Sequence, residues 1–121
     1  LSVSDVLSVC CPATKETTDL INKETLEYLP PGAVVTNVAR GDIVNDEALI
    51  EALNRRKIYA VGLDVYKGEP NLNPGYLKHK SAFILPHLGS ASKHTRTAMA
   101  DLAIDNIDEF FKMGSCKNKV N

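Results

Sequence analysis

A chain of 121 residues suffices for one domain or part of one, which excludes a second full domain. Hydrophobic residues make up 44% and charged residues 24%, so a core can form and composition does not favour disorder. A net charge of -1 gives no electrostatic case for nucleic acid or an anionic membrane surface.

No apolar run approaches the ~20 residues needed to cross a bilayer, and no charged stretch followed by an apolar one opens the chain, so a soluble, cytoplasmic protein is expected. Cys10, Cys11 and Cys116 are an odd set with two adjacent members, which points to buried free thiols rather than a disulfide framework. The chain opens on Leu1 and enters a strand-like run within a few residues, as if cut from something longer.

In chain order, the first β-type run is Val6 to Cys10. NKETLEYLPPG then predicts a short helix, with Asn22 as N-cap, Leu26 and Leu29 on one face, and Pro30, Pro31 and Gly32 as the stop. Ala33 to Val38 is the second run. NDEALIEALNRRK predicts a second helix capped by Asn45 or Asp46, with an apolar stripe of Leu49, Ala52 and Leu53. Arg55, Arg56 and Lys57 are expected to complement its negative C-terminal end.

Tyr59 to Leu63 is the third run, and Ala82 to Leu85 the fourth. The long Gly-, Pro- and Asn-rich loop between them, DVYKGEPNLNPGYLKHKS, leaves room for at most one helical turn, and loops of this length inside compact domains are usually functional. From Ser92 to about Met113 a helix is signalled by Met99, Ala103, Ile104, Ile107, Phe110 and Phe111, with Gly114 beyond its end. It would span roughly 33 Å, more than four short strands need, so part of it is expected to pack elsewhere.

The β-runs are nearly continuous apolar segments, the pattern of strands covered on both faces, and the alternation of strand and helix is the βαβ rhythm. The expected fold is therefore α/β, one compact unit with a parallel sheet of about four strands and flanking helices. No two of the seven glycines form a GxG pair, so the pyrophosphate-binding turn of dinucleotide domains is absent. CxxC, HExxH and Walker-type GKS or GKT are also missing, and no metal site is expected.

Open α/β sheets bind ligands beyond the carboxyl ends of their strands. The last three runs end in NVARGD, GLDVYKGEP and LPHLGS, so Arg40, Asp64, Glu69 and His87 can meet on one edge. Taken singly, each has a plainer reading. Arg40 is then a solvated turn residue, Glu69 a surface acid, Asp64 a turn cap or a ligand holder, and His87 structural. His79 and His94 lie in polar surroundings and read as ordinary residues. Together, a cation, an acid and an imidazole suit reduction of a carbonyl next to a carboxylate. Arginine's fork holds the carboxylate, and histidine, kept protonated by a neighbouring acid, protonates the oxygen as hydride reaches the carbon.

The order and spacing of NVARGDIVNDEALIEAL, AVGLDVYKGEPNLNP and ILPHLGSAS resemble the D-2-hydroxyacid dehydrogenases, and the opening CCPATKETTDLIN resembles the segment that precedes them in that family. PHLGSAS and GEPNLNP look most like the glyoxylate and hydroxypyruvate reductase branch. The resemblance implies the second half of a Rossmann-type doubly wound domain, NAD or NADP as cofactor and a small 2-oxo acid as substrate; the exposed sheet edge and long helix lead to the expectation of a homo-oligomer. Arg40 is similar to the substrate-binding arginine, Glu69 to the acid paired with the histidine, and His87 to the proton donor.

On the cofactor side the resemblance implicates Cys11, acting through its backbone before the proline, and Val38, Ala39 and Arg40 beside the nicotinamide. It also implicates Asp64 near the carboxamide, His87, and Gly89 in a loop over the ring. The family's GxGxxG half and most of its catalytic domain have no counterpart here. The whole chain, 1–121, is thus expected to be the C-terminal portion of the NAD(P)-binding domain, with 114–121 returning toward the catalytic domain. Alone it is expected to be inactive, and oligomeric or marginally stable, because a central strand has become an edge. The other reading is a dinucleotide-sensing corepressor-like protein or an assembly module of the same fold.

Overall fold

The computed structural model describes residues 1–120; the last residue of the predicted tail, Asn121, lies outside them. The chain divides into two compact units, Leu1–His87 and Leu88–Asn121, where the sequence pattern suggested one.

The first unit is a parallel sheet in the order β1 (Val6–Val9), β2 (Ala33–Asn37), β3 (Ile58–Leu63), β4 (Ala82–Ile84). The first crossover holds α1 (Lys23–Glu27). Asn22 caps it by accepting from the backbone N–H groups of Glu24 and Thr25, and Thr25 Oγ1 accepts from the Asn22 N–H in return. The reciprocal pair satisfies donors that a helix start leaves open. The second crossover holds α2 (Asp46–Asn54), and of the two candidate caps it is Asn45 that accepts from the Ala48 N–H. The long loop between β3 and β4 contains a single 3-10 turn, Pro74–Lys78.

Two of the three cations after α2, Arg55 and Lys57, serve a different helix end from the one expected. None lies in the last turn of α2. Arg55 instead pairs with Glu27 and Glu51, and Lys57 Nζ donates to the Glu27 carbonyl at 2.8 Å, at the C-terminal end of α1. The guanidinium beside Glu27 holds that carboxyl below its ordinary range. Because α1 and α2 lie side by side, a cation following one helix reaches the carbonyl end of the other.

Burial along the strands departs from the two-sided pattern. Val35 and Asn37 of β2, with Val61 and Leu63 of β3, are buried in one core with Leu26, Leu29, Leu49, Ala52 and Leu53. On the other face Val6 is 60% and Phe83 67% exposed. The reason is topological. A sheet whose strands follow one another in sequence order, joined by right-handed crossovers, puts every crossover helix on the same face. β1 is an edge, paired on one side only.

The second unit carries α3 (Lys93–Met113), capped by Ser92 accepting from the Thr95 N–H and closed by Gly114 at φ 71°. No residue of α3 is buried, and Met99, Leu102, Ile107 and Phe110 are each about half exposed. All three cysteines are free, but Cys10 is exposed and Cys11 and Cys116 are only partly buried. Cys10 lies one residue beyond β1, outside the buried part of the strand.

Two contacts set the loops that follow β2 and β3. Tyr76, 1% exposed, donates its hydroxyl to Asp46 Oδ1 at 2.9 Å, tying the 3-10 turn to the start of α2. Burial raises the Asp46 pKa, with the Tyr76 hydroxyl acting against that rise. A carboxyl whose pKa is raised on folding binds its proton more readily folded than unfolded, so its ionised form weakens the fold above the raised pKa and the penalty disappears as pH falls below it. Tyr76→Phe removes the donor and is expected to cost about 1–3 kcal/mol at pH 7 and less at acid pH, read by denaturant unfolding at both pH values.

The second contact is at Gly41, which is buried against the main chain of the next loop. A Cβ at this position would overlap the Tyr66 carbonyl and the Lys67 amide nitrogen. Backbone cannot swing aside as a flexible side chain can. Gly41→Ala is expected to lower stability by about 1–3 kcal/mol in the same assay, and an unchanged midpoint would show that the two loops need not approach so closely.

Candidate active site at the carboxyl edge of the sheet

β2 delivers the first group. Asn37, its last residue, is 1% exposed, accepts from the Ala39 N–H at 3.0 Å and donates to the Arg40 carbonyl at 2.8 Å. These bonds bend the chain sharply out of the strand and present Arg40 to solvent. The Arg40 guanidinium donates to the Ala39 carbonyl at 2.6 Å and, among the described residues, forms no ion pair. A planar fork with most of its donors uncommitted is suited to a carboxylate.

The loop after β3 delivers the second. Tyr66 donates its backbone N–H to Glu69 Oε1 at 3.1 Å, which leaves Oε2 to meet His87 Nδ1 at 2.8 Å. The segment after β4 delivers the third, with His87 at φ 57°, a left-handed conformation uncommon for a residue with a side chain. An ionised carboxylate can only accept, so Nδ1 is the protonated nitrogen and Nε2 is the one left to exchange a proton. The Glu69 and His87 side chains are 30% and 46% exposed, so a solute can reach the pair.

Arg40, Glu69 and His87 line one cavity of about 500 Å³ together with Ala13, Gly41, Asp42, Tyr66 and Gly68. A second cavity, of about 520 Å³, is lined by Cys10 to Ala13 and Val38 to Arg40. Ala13 and Arg40 belong to both, so the two form one trough along the carboxyl edge. Cys11, Val38 and Ala39 thus fall together.

Two sequence candidates are not among the residues of this lining. Asp64, 9% exposed, follows β3 and donates its backbone N–H to the Asn37 carbonyl, and it lines neither cavity. Gly89 belongs to the second unit, in a turn closed by the Ala91 N–H donating to the Leu88 carbonyl at 2.9 Å. Asn37, Gly41 and Tyr66 were not among the sequence candidates. Asn37 alone left a signal, since it has the same inward parity as Ala33 and Val35 and is therefore a polar group at a buried position.

The model of the "D-isomer specific 2-hydroxyacid dehydrogenase, NAD binding domain" matches residues 1–89. The chain is 45% identical over 111 residues to a glycerate dehydrogenase of Hyphomicrobium methylovorum, covering 92% of this chain and 34% of that protein. It is 39% identical over 121 residues to a glyoxylate reductase of Thermococcus litoralis, covering 100% and 37% respectively. Its fold matches an NADPH-dependent glyoxylate/hydroxypyruvate reductase of Sinorhizobium meliloti, solved with NADP and malonate. The TM-score is 0.88 and the identity 40%, over 93% of this chain and 35% of that one. The chain thus spans about a third of the length of the relatives it matches. With a parallel sheet, matching motifs in order and a family model covering most of its length, the chain belongs to the D-isomer specific 2-hydroxyacid dehydrogenase family.

Proposed function

We propose that the chain, 1–121, is the C-terminal portion of the NAD(P)-binding domain of a reductase acting on small 2-oxo acids such as glyoxylate or hydroxypyruvate. In this reading residues 114–121 return toward the catalytic domain, and the enzyme is a cytoplasmic homo-oligomer. The observation that carries it is the 2.8 Å contact between His87 Nδ1 and Glu69 Oε2 in the cavity that Arg40 also lines.

Arg40 holds the substrate carboxylate through its guanidinium fork and draws electron density from the adjacent carbonyl. His87 gives the proton on Nε2 to the carbonyl oxygen, and Glu69, bonded to Nδ1, keeps the ring oriented. The lining of the second cavity, main-chain groups and small side chains of Cys11, Val38 and Ala39 without a carboxylate, fits the uncharged end of a nicotinamide. When bound there in reduced form, the cofactor supplies the hydride that the carbonyl carbon receives. The chain has no GxGxxG turn for the pyrophosphate, so this portion offers walls for one end of the dinucleotide only.

In the full-length enzyme His87→Ala is expected to lower kcat by about 10²- to 10⁴-fold with glyoxylate or hydroxypyruvate. Turnover kept at the wild-type rate would remove His87 from the proton-donor role and favour a non-catalytic protein of the same fold. The 121-residue chain alone is expected to show no calorimetric binding of NADH or NADPH at micromolar concentrations. A micromolar Kd would show that the pyrophosphate cradle is not needed.

A further inference from the structure

At the opposite edge of the sheet, where strands begin, lies a third cavity of about 350 Å³, lined by Gly32, Leu53, Arg56, Ile58, Tyr59, His79 and Ser81. Gly32 and Ser81 immediately precede β2 and β4, and Tyr59 is the extra residue where the β2 and β3 register slips between Ala33 and Val34. Parallel strands therefore put this cavity far from Arg40, Glu69 and His87.

Two features set it apart from an ordinary surface hollow. Nε2 of His79 is buried with no hydrogen-bond partner among the described residues, a state that native proteins rarely leave uncompensated. Arg56 sits at φ 56° with no ion pair among those residues. Its N–H donates to the Leu53 carbonyl, and the Lys57 N–H donates to the Ala52 carbonyl. That pattern makes Arg56 the left-handed residue closing α2, the place where glycine is favoured. An arginine held there bears a backbone cost that no ion pair or side-chain hydrogen bond among the described residues offsets. His79 read from the sequence as an ordinary loop residue; its unpartnered nitrogen becomes visible only in the packed structure.

We propose that this cavity binds a small organic carboxylate with an apolar body. The Arg56 guanidinium meets the carboxylate, and a half-turn of the buried His79 ring about its last torsion brings Nε2 to it as a donor. The Ser81 hydroxyl is available as a further donor, while Leu53, Ile58 and the Tyr59 ring take the apolar body. The site is separate from the trough that holds the proposed reaction, and its occupation does not depend on that reading.

Benzoate is the probe, with benzamide as its uncharged counterpart, in residue-resolved amide NMR titrations of the isotope-labelled protein. Benzoate is expected to shift Gly32, Tyr59, His79 and Ser81 with a Kd of about a millimolar, and benzamide to leave them unmoved. Arg56→Gly puts the preferred residue at the helix end, so the thermal midpoint should not fall while benzoate binding weakens at least about tenfold. His79→Leu should weaken it as well. Shifts confined to Arg40, Tyr66 and His87, equal binding of benzamide, or undiminished binding by Arg56→Gly would each overturn the proposal.

Discussion

Asn37 carries a primary amide into a place where an unpartnered polar group would cost about 1–3 kcal/mol, and the chain around it is shaped to spend both ends of that amide. The oxygen takes the Ala39 N–H and the nitrogen gives to the Arg40 carbonyl, while the residue's own backbone carbonyl takes the Asp64 N–H. One buried residue thereby holds the end of β2, the Arg40 turn and the end of β3 in fixed relation. Gly41 then lets the Tyr66 loop lie directly on that turn, which brings Glu69 within reach of His87.

The groups proposed to act, Arg40, Glu69 and His87, are more exposed than their supports. Arg40 is exposed, and the Glu69 and His87 side chains keep part of their surface in solvent, whereas Asn37 and Gly41 behind them are buried. This division suits a site that must admit a solute and exchange a proton with it. Rigidity comes from backbone contacts, and chemistry from side chains reaching beyond them. The left-handed backbone at His87 belongs to the same pattern, since such conformations persist only where their surroundings over-determine them.

The single direction of strand order has a further consequence. Right-handed crossovers place α1 and α2 on one face and leave the apolar residues of the other, Phe83 and Val6 among them, in solvent, and they leave β1 with one free edge. The relatives are longer, and this chain spans about a third of their length.

The strands, the helices and the Asn22 cap were all legible in the sequence, because apolar periodicity and capping depend on neighbours a few residues away. Arg40, Glu69 and His87 could be named as a group because a parallel sheet sends every strand end to one edge. Tertiary structure alone decided which of the strand-end residues share a cavity and that Asp64 lines neither part of the trough. It alone decided that Lys57 serves α1 and that the sheet has one buried face. Gly41 and the unpartnered nitrogen of His79 are of the same kind. Those facts rest on contacts between segments distant in sequence, where a local pattern carries no information about which backbone or side chain will arrive opposite.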